Sequence, residues 1–157
     1  MKSNLPKMNN VNLFDDTNLA YGIKIINNKM SKIIKRSTPI PNESNNIYVT
    51  TQDYQTTGNI EVYEGEDESV FNNLFLGSFK IFNLPKLKKG EAQVKISIKI
   101  NESSILDIYA EDIRNTQNHK NLFIEKPKGL KDIIDSLKEK VKQIKNIDLN
   151  EYKKKKK

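Results

Sequence analysis

The side chains best suited to chemistry are few in this sequence and badly placed for one another. His119 is the only histidine, and there is no cysteine. No cysteine–histidine nucleophile and no cysteine-ligated metal can therefore be assembled, and nothing around His119 has ligand spacing. Glu64, Glu66, Asp67 and Glu68 cluster around Gly65, but a calcium loop needs regularly spaced oxygen ligands about its glycine turn, and this spacing does not match. A solvated acidic loop is the expected outcome. No G-x-x-x-x-G-K-[ST] is present among only 6 glycines, so a phosphate cradle is unsupported. The residues point to binding rather than catalysis, with no catalytic residue, no metal and no cofactor expected, and the chain is not expected to be an enzyme.

Composition bounds the rest. The 157 residues suit one domain, with 36% hydrophobic and 30% charged residues. No stretch approaches the roughly 18 apolar residues of a membrane span, and Met1 to Asn12 holds no apolar run of a signal peptide. A cytoplasmic location is expected, with no membrane partner. The formal charge is +7, but Lys153 to Lys157 carry five of those charges. The basicity belongs to the tail, which makes nucleic acid a minor candidate partner, tested by tail deletion and salt.

The elements that must position any site are short. Tyr21–Ile26 and Met30–Ile34 read as strands around an Asn27-Asn28 turn, where left-handed backbone is cheap. Asn46–Thr51, Asn59–Glu64, Leu74–Phe82, Gln93–Ile100, Ile105–Glu111 and Lys120–Glu125 follow. In Gln93–Ile100, Val94, Ile96, Ile98 and Ile100 alternate with Lys95, Ser97 and Lys99, the pattern of a half-buried strand. Short strands separated by turn residues predict an all-β antiparallel sandwich. After Pro127, Leu130, Ile133, Ile134, Leu137, Val141 and Ile144 fall at helical spacing. The expected organisation is a flexible tail over 1–14, a β-domain over 15–127, one amphipathic helix over 128–149 and a basic tail over 150–157.

A family resemblance runs through these strands. Asp15-Asp16-Thr17-Asn18-Leu19-Ala20-Tyr21-Gly22-Ile23 resembles the D-V-T-P-L-S-L-G-I opening of the peptide-binding domain of the 70-kilodalton heat-shock (DnaK-type) chaperones. Lys35 to Pro41 resembles its K-N-T-T-I-P segment, and Tyr48 to Thr56 resembles F-S-T-A-x-D-N-Q. Ile60 to Glu66 resembles I-x-V-x-Q-G-E; Asn73, Leu76-Gly77 and Phe79 fit N-x-x-L-G-x-F. Ile105 to Asp112 resembles G-I-L-x-V-x-A-x-D, and Gly129-Leu130 stands where S-x-G-L opens the lid.

The resemblance implies two four-stranded antiparallel sheets packed as a sandwich, then a truncated helical lid, with the ATPase domain absent. It also implies a site. Ile23, Tyr48, Gly58, Ile60 and Val94 match the wall of an apolar pocket, and Ile26 and Thr51 match an arch over the bound chain. Ile25, Val49 and Gln55 match positions giving main-chain or loop contacts. The implied activity is ATP-independent, holdase-like binding of extended apolar segments of unfolded proteins. An alternative is a regulatory or decoy protein that engages co-chaperones or a chaperone ATPase domain in trans; Leu13 and Phe14 would be the docking remnant. Self-association through the C-terminal helix is held open. Gly58 departs from the family's β-branched aliphatic, so the pocket is expected to be wider, taking larger anchors or binding more weakly.

Overall fold

In the computed structural model, which describes residues 15–125 and 130–155, eight strands form two four-stranded sheets. The strands are β1 (Tyr21–Ile25), β2 (Lys29–Ile34), β3 (Asn42–Val49), β4 (Gly58–Glu64), β5 (Leu74–Ile81), β6 (Gln93–Ile100), β7 (Ile105–Asp112) and β8 (Asn115–Glu125). Their order is β2-β1-β4-β5 in one sheet and β3-β6-β7-β8 in the other. The ladders of β1 with β2 and β4, of β4 with β5, and of β6 with β3 and β7 are antiparallel. One helix, α1 (Leu130–Lys155), follows. The chain divides into two compact units, up to Ile124 and from Glu125 onward.

The alternation in β6 is realised: Val94, Ile96, Ile98 and Ile100 are buried. They join Leu106, Ile108 and Ala110 of β7 in one apolar cluster with Tyr21, Ile23, Ile60, Val62 and Ile81 from the first sheet. Both sheets thus bury one face in a common core, which removes the apolar rows from water. Asn27 and Asn28 turn the chain between β1 and β2 with φ of 61° and 55°, the left-handed backbone expected of them.

Several boundaries differ from expectation. β3 begins at Asn42, not Asn46, and stops at Val49, not Thr51. Its first residues, Asn42-Glu43-Ser44-Asn45-Asn46, show no apolar period, yet they pair with β6 from Asn42↔Ile100 onward. Main-chain hydrogen bonding on a paired strand does not depend on side-chain polarity. β8 likewise extends back to Asn115 through polar residues. The helix runs to Lys155, so the expected basic tail is partly helical, and three lysines sit in its last turn. Cations there complement the partial negative charge of a helix C-terminus.

The acidic segment after β4 is also not simply a solvated loop. Glu66 accepts hydrogen bonds from the Ala20 backbone N–H at 2.8 Å and from Lys32 Nζ at 3.0 Å. Glu68 pairs with Lys29 at 2.9 Å, and Asp67 accepts from the Ser69 N–H at 2.8 Å. The Lys32 hydrogen bond, aided by the Ala20 amide, holds the Glu66 carboxyl below its ordinary range. His119 is exposed and stacked on Tyr109, with ring centroids 5.2 Å apart. The expected tail over 1–14, with Leu13 and Phe14, and the Gly129 motif position lie outside the described residues.

Candidate functional site

A cavity of about 550 Å³ opens where the first sheet meets the end of β3. β1 brings Ile23, Lys24 and Ile25, and Ile26 follows at the turn. β3 contributes Ile47, Tyr48 and Val49; Thr50, Thr51 and Gln55 come from the loop before β4. Gly58, Asn59 and Ile60 open β4, and Ile81, Leu84, Val94 and Ile96 complete the lining. Every site position expected from the sequence lies on this one cavity. That includes Ile26 and Thr51, the two residues expected to arch over a guest.

The lining is mainly aliphatic and graded in exposure. Ile23, Ile60, Ile81, Leu84, Val94 and Ile96 are buried, whereas Ile26, Ile47 and Val49 are at least half exposed. Exposed aliphatic side chains at the mouth of a buried apolar floor favour a ligand that covers them. Lys24 is the one charged residue in the lining, and its ammonium pairs with Glu61. The Glu61 hydrogen bond raises the Lys24 pKa above its ordinary value. Thr50 is buried, and its hydroxyl has no hydrogen-bond partner among the described residues.

The loop over 50–57 is braced rather than free. Gln55 Oε1 accepts from the Thr51 N–H at 3.0 Å, and its Nε2 donates to the Thr57 carbonyl at 2.8 Å. Thr50 donates its N–H to the Ala92 carbonyl at 3.1 Å, and Gly90 donates to the Thr50 carbonyl at 2.9 Å. Tyr54 donates to Leu87 at 2.7 Å, and the Lys89 N–H donates to Asp53 Oδ1 at 2.9 Å. Tyr48 and Ser31 share a 2.8 Å hydroxyl hydrogen bond that ties β3 to β2 across the two sheets. Among the described residues β3 is an edge strand, with β6 as its single neighbour in the sheet. Its other edge offers main-chain groups to an added strand.

Sequence reasoning missed Lys24, Ile47, Thr50, Asn59, Ile81, Leu84 and Ile96. Lys24, Ile47, Thr50 and Asn59 adjoin positions that were named, so their neighbours were the available signal. Ile81 and Leu84 had none: the β4–β5 register sets Ile81 opposite Gly58, and Leu84, whose N–H donates to the Thr56 carbonyl, comes beside it from beyond the strand. A Cβ at Gly58 would meet Ile81 Cγ2 at 3.0 Å and Leu84 Cδ1 at 3.7 Å.

The family described as Hsp70 protein matches residues 3–157. The chain belongs to the Hsp70 family. It is similar to the heat shock protein hsp-6 of Caenorhabditis elegans, 33% identical over 126 residues, covering 80% of this chain and 19% of that protein. It is also similar to the mitochondrial-type heat shock protein 70 of Encephalitozoon hellem, 31% identical over 143 residues, covering 90% of this chain and 24% of that protein. The chain thus spans about a fifth to a quarter of the length of these Hsp70 relatives. Membership corrects one expectation. The chain was expected not to be an enzyme, but Hsp70 homologues are ATPases, so it belongs to a family of enzymes. The missing phosphate-binding motif therefore carries no exclusion. Among the described residues no helix is long and apolar enough to cross a membrane, and no group of side chains could hold a metal ion.

Proposed function

We propose that this Hsp70-family chain binds extended polypeptide segments in the cavity between Ile26 and Thr51, as a peptide-binding β-sandwich of the family, without needing nucleotide for the binding step. One observation carries the reading. Two sheets bring aliphatic side chains to a single open cavity beside the unpaired edge of β3. An extended guest would hydrogen-bond through its main chain, which is blind to sequence, and insert one apolar side chain, which supplies preference. Burying a leucine-sized anchor contributes about 1.5–3 kcal/mol, or roughly 10- to 100-fold in affinity over an unanchored segment. The guests are accordingly unfolded or extended stretches of other proteins.

Assignment of this stretch to the family's peptide-binding part, rather than to its ATPase part, belongs to the proposal. What supports it is the pair of four-stranded sheets with antiparallel ladders and their shared core. Fluorescence anisotropy with a short labelled leucine-centred peptide tests the reading, beside the same peptide with glycine at its centre. Saturable binding of the first, weakened by Ile26→Asp, is the expected result. Absence of binding, together with saturable binding or hydrolysis of labelled ATP, would move the chain to the ATPase part. Cytoplasmic placement is likewise a proposal; the mitochondrial-type relative makes mitochondria the competing compartment, which cell fractionation decides.

A further inference from the structure

We infer that α1 docks an acidic amphipathic helix of a partner protein. Ile134, Leu137, Val141 and Ile144 form the apolar seam of contact, and Lys138, Lys140 and Lys145 on its two flanks select carboxylates. The inference goes beyond the peptide-binding reading and does not use the cavity.

The four aliphatic residues recur at intervals of three, four and three along α1. On a helix that rhythm draws one narrow seam, the a and d positions of a heptad, rather than a broad apolar face. All four are between 40% and 59% exposed, which leaves the seam open. Open aliphatic side chains at this spacing are the anchors by which one helix seats itself against another protein. A helix lying in a bilayer surface instead buries a wide apolar face, usually with Trp or Phe on it. This seam is narrow and holds neither residue.

The flanks decide the charge of the partner. At about 100° per residue, Lys138 and Lys145 stand on one side of the seam and Lys140 on the other, at the e and g positions that face a docked helix. From Leu137 to Asn146 the charged residues are Lys138, Glu139, Lys140, Lys142 and Lys145, all exposed. Glu139, the one carboxylate of that stretch, falls on the side of the helix away from the seam. Among the described residues none of the three flanking ammonium groups has an ion-pair partner. A second copy of α1 would bring the same lysines to the flanks, so self-pairing sets like charges together whichever way the helices run. Glutamates on the facing helix turn that repulsion into attraction, which favours a hetero-partner over a homodimer.

Two labelled three-heptad peptides test the idea by anisotropy on the whole chain. Both carry leucine at every a and d position; one has glutamate and the other lysine at every e and g. The glutamate peptide is expected to bind about 10-fold or more tightly than the lysine peptide, the ratio narrowing as salt rises from roughly 0.05 to 0.5 M. The triple change Lys138→Glu, Lys140→Glu and Lys145→Glu is expected to invert the preference. It leaves the seam intact and exchanges one good helix former for another, so it keeps the test decisive if Val141→Asp, expected to abolish binding, unwinds the helix. Ile26→Asp at the cavity is expected to leave the glutamate peptide's affinity unchanged. Binding of neither peptide, equal binding of both, or an unchanged preference in the charge-reversed variant overturns the inference. So does loss of binding in Ile26→Asp, which would place the peptide in the cavity. Uptake by phosphatidylserine vesicles without binding of the glutamate peptide also overturns it and makes α1 a membrane-surface element. Each of these failures leaves the test of the peptide-binding reading, with its leucine-centred extended peptide, standing on its own.

Discussion

Replacing Gln55 by alanine should loosen the wall of the cavity without damaging the core. The Gln55 amide spans its loop: it accepts from the Thr51 N–H at 3.0 Å and donates to the Thr57 carbonyl at 2.8 Å. Each such bond contributes about 0.5–1.5 kcal/mol net, so the pair contributes about 1–3 kcal/mol. The lower half of that range applies, because Thr51 is exposed and water replaces the lost acceptor. The expected loss of stability is therefore about 1–2 kcal/mol, read as a shift in the urea midpoint with an unchanged slope. The larger effect is expected on guest binding. Thr51 would no longer be held over the cavity, and ordering its backbone would cost about 1–2 kcal/mol at each binding event. Affinity for the leucine-centred peptide should fall roughly 5- to 30-fold, expressed mainly as faster dissociation. Gln55→Glu should weaken binding at least as much, since a carboxylate loses the donor and faces the Thr57 carbonyl. If Gln55→Ala left peptide affinity within about twofold of the parent while the urea midpoint fell, the loop would be structural only and the bracing argument refuted.

Other perturbations follow from the same structure. Gly22→Ala would put its Cβ 2.0 Å from the Ser31 carbonyl oxygen, a backbone atom that cannot move alone, so the β1–β2 pair should be destabilised by about 3 kcal/mol or more in urea unfolding. The Glu66 pKa is depressed, chiefly by Lys32, so its stabilising contribution is present above the usual carboxylate range and is lost as pH falls through the lowered folded value. Glu66→Gln should accordingly lower stability on the neutral side, leave the most acidic end of a stability–pH profile little changed, and so flatten the acid limb. On α1, Ile134, Leu137, Val141 and Ile144 are exposed at heptad-like spacing, with Lys138, Lys140 and Lys145 on the flanks. Pairing two copies through that stripe sets like charges together, so sedimentation should show any self-association strengthening as salt rises from roughly 0.05 to 0.5 M.

Much of this molecule was legible in its residues because the relevant signals are local. Strict alternation in Gln93–Ile100 announces a strand with one buried face, and the Asn27-Asn28 pair announces a turn. Polar stretches such as Asn42 to Asn46 were not legible, since strand pairing uses main-chain groups that every residue possesses. The pocket positions were found through their resemblance to a family pattern, and the structure gathers them on one cavity. Its floor was another matter. Only the pairing of β4 with β5 placed Ile81 opposite Gly58, and only the fold brought Leu84 beside it. The bracing of the Thr51 loop against 83–92 and the anchoring of Glu66 by Ala20 and Lys32 are of the same kind. By itself the order of residues determined which faces are apolar and where the chain turns. Tertiary structure alone decided which distant side chains share a space, because strand register is set by contacts between segments far apart in the chain.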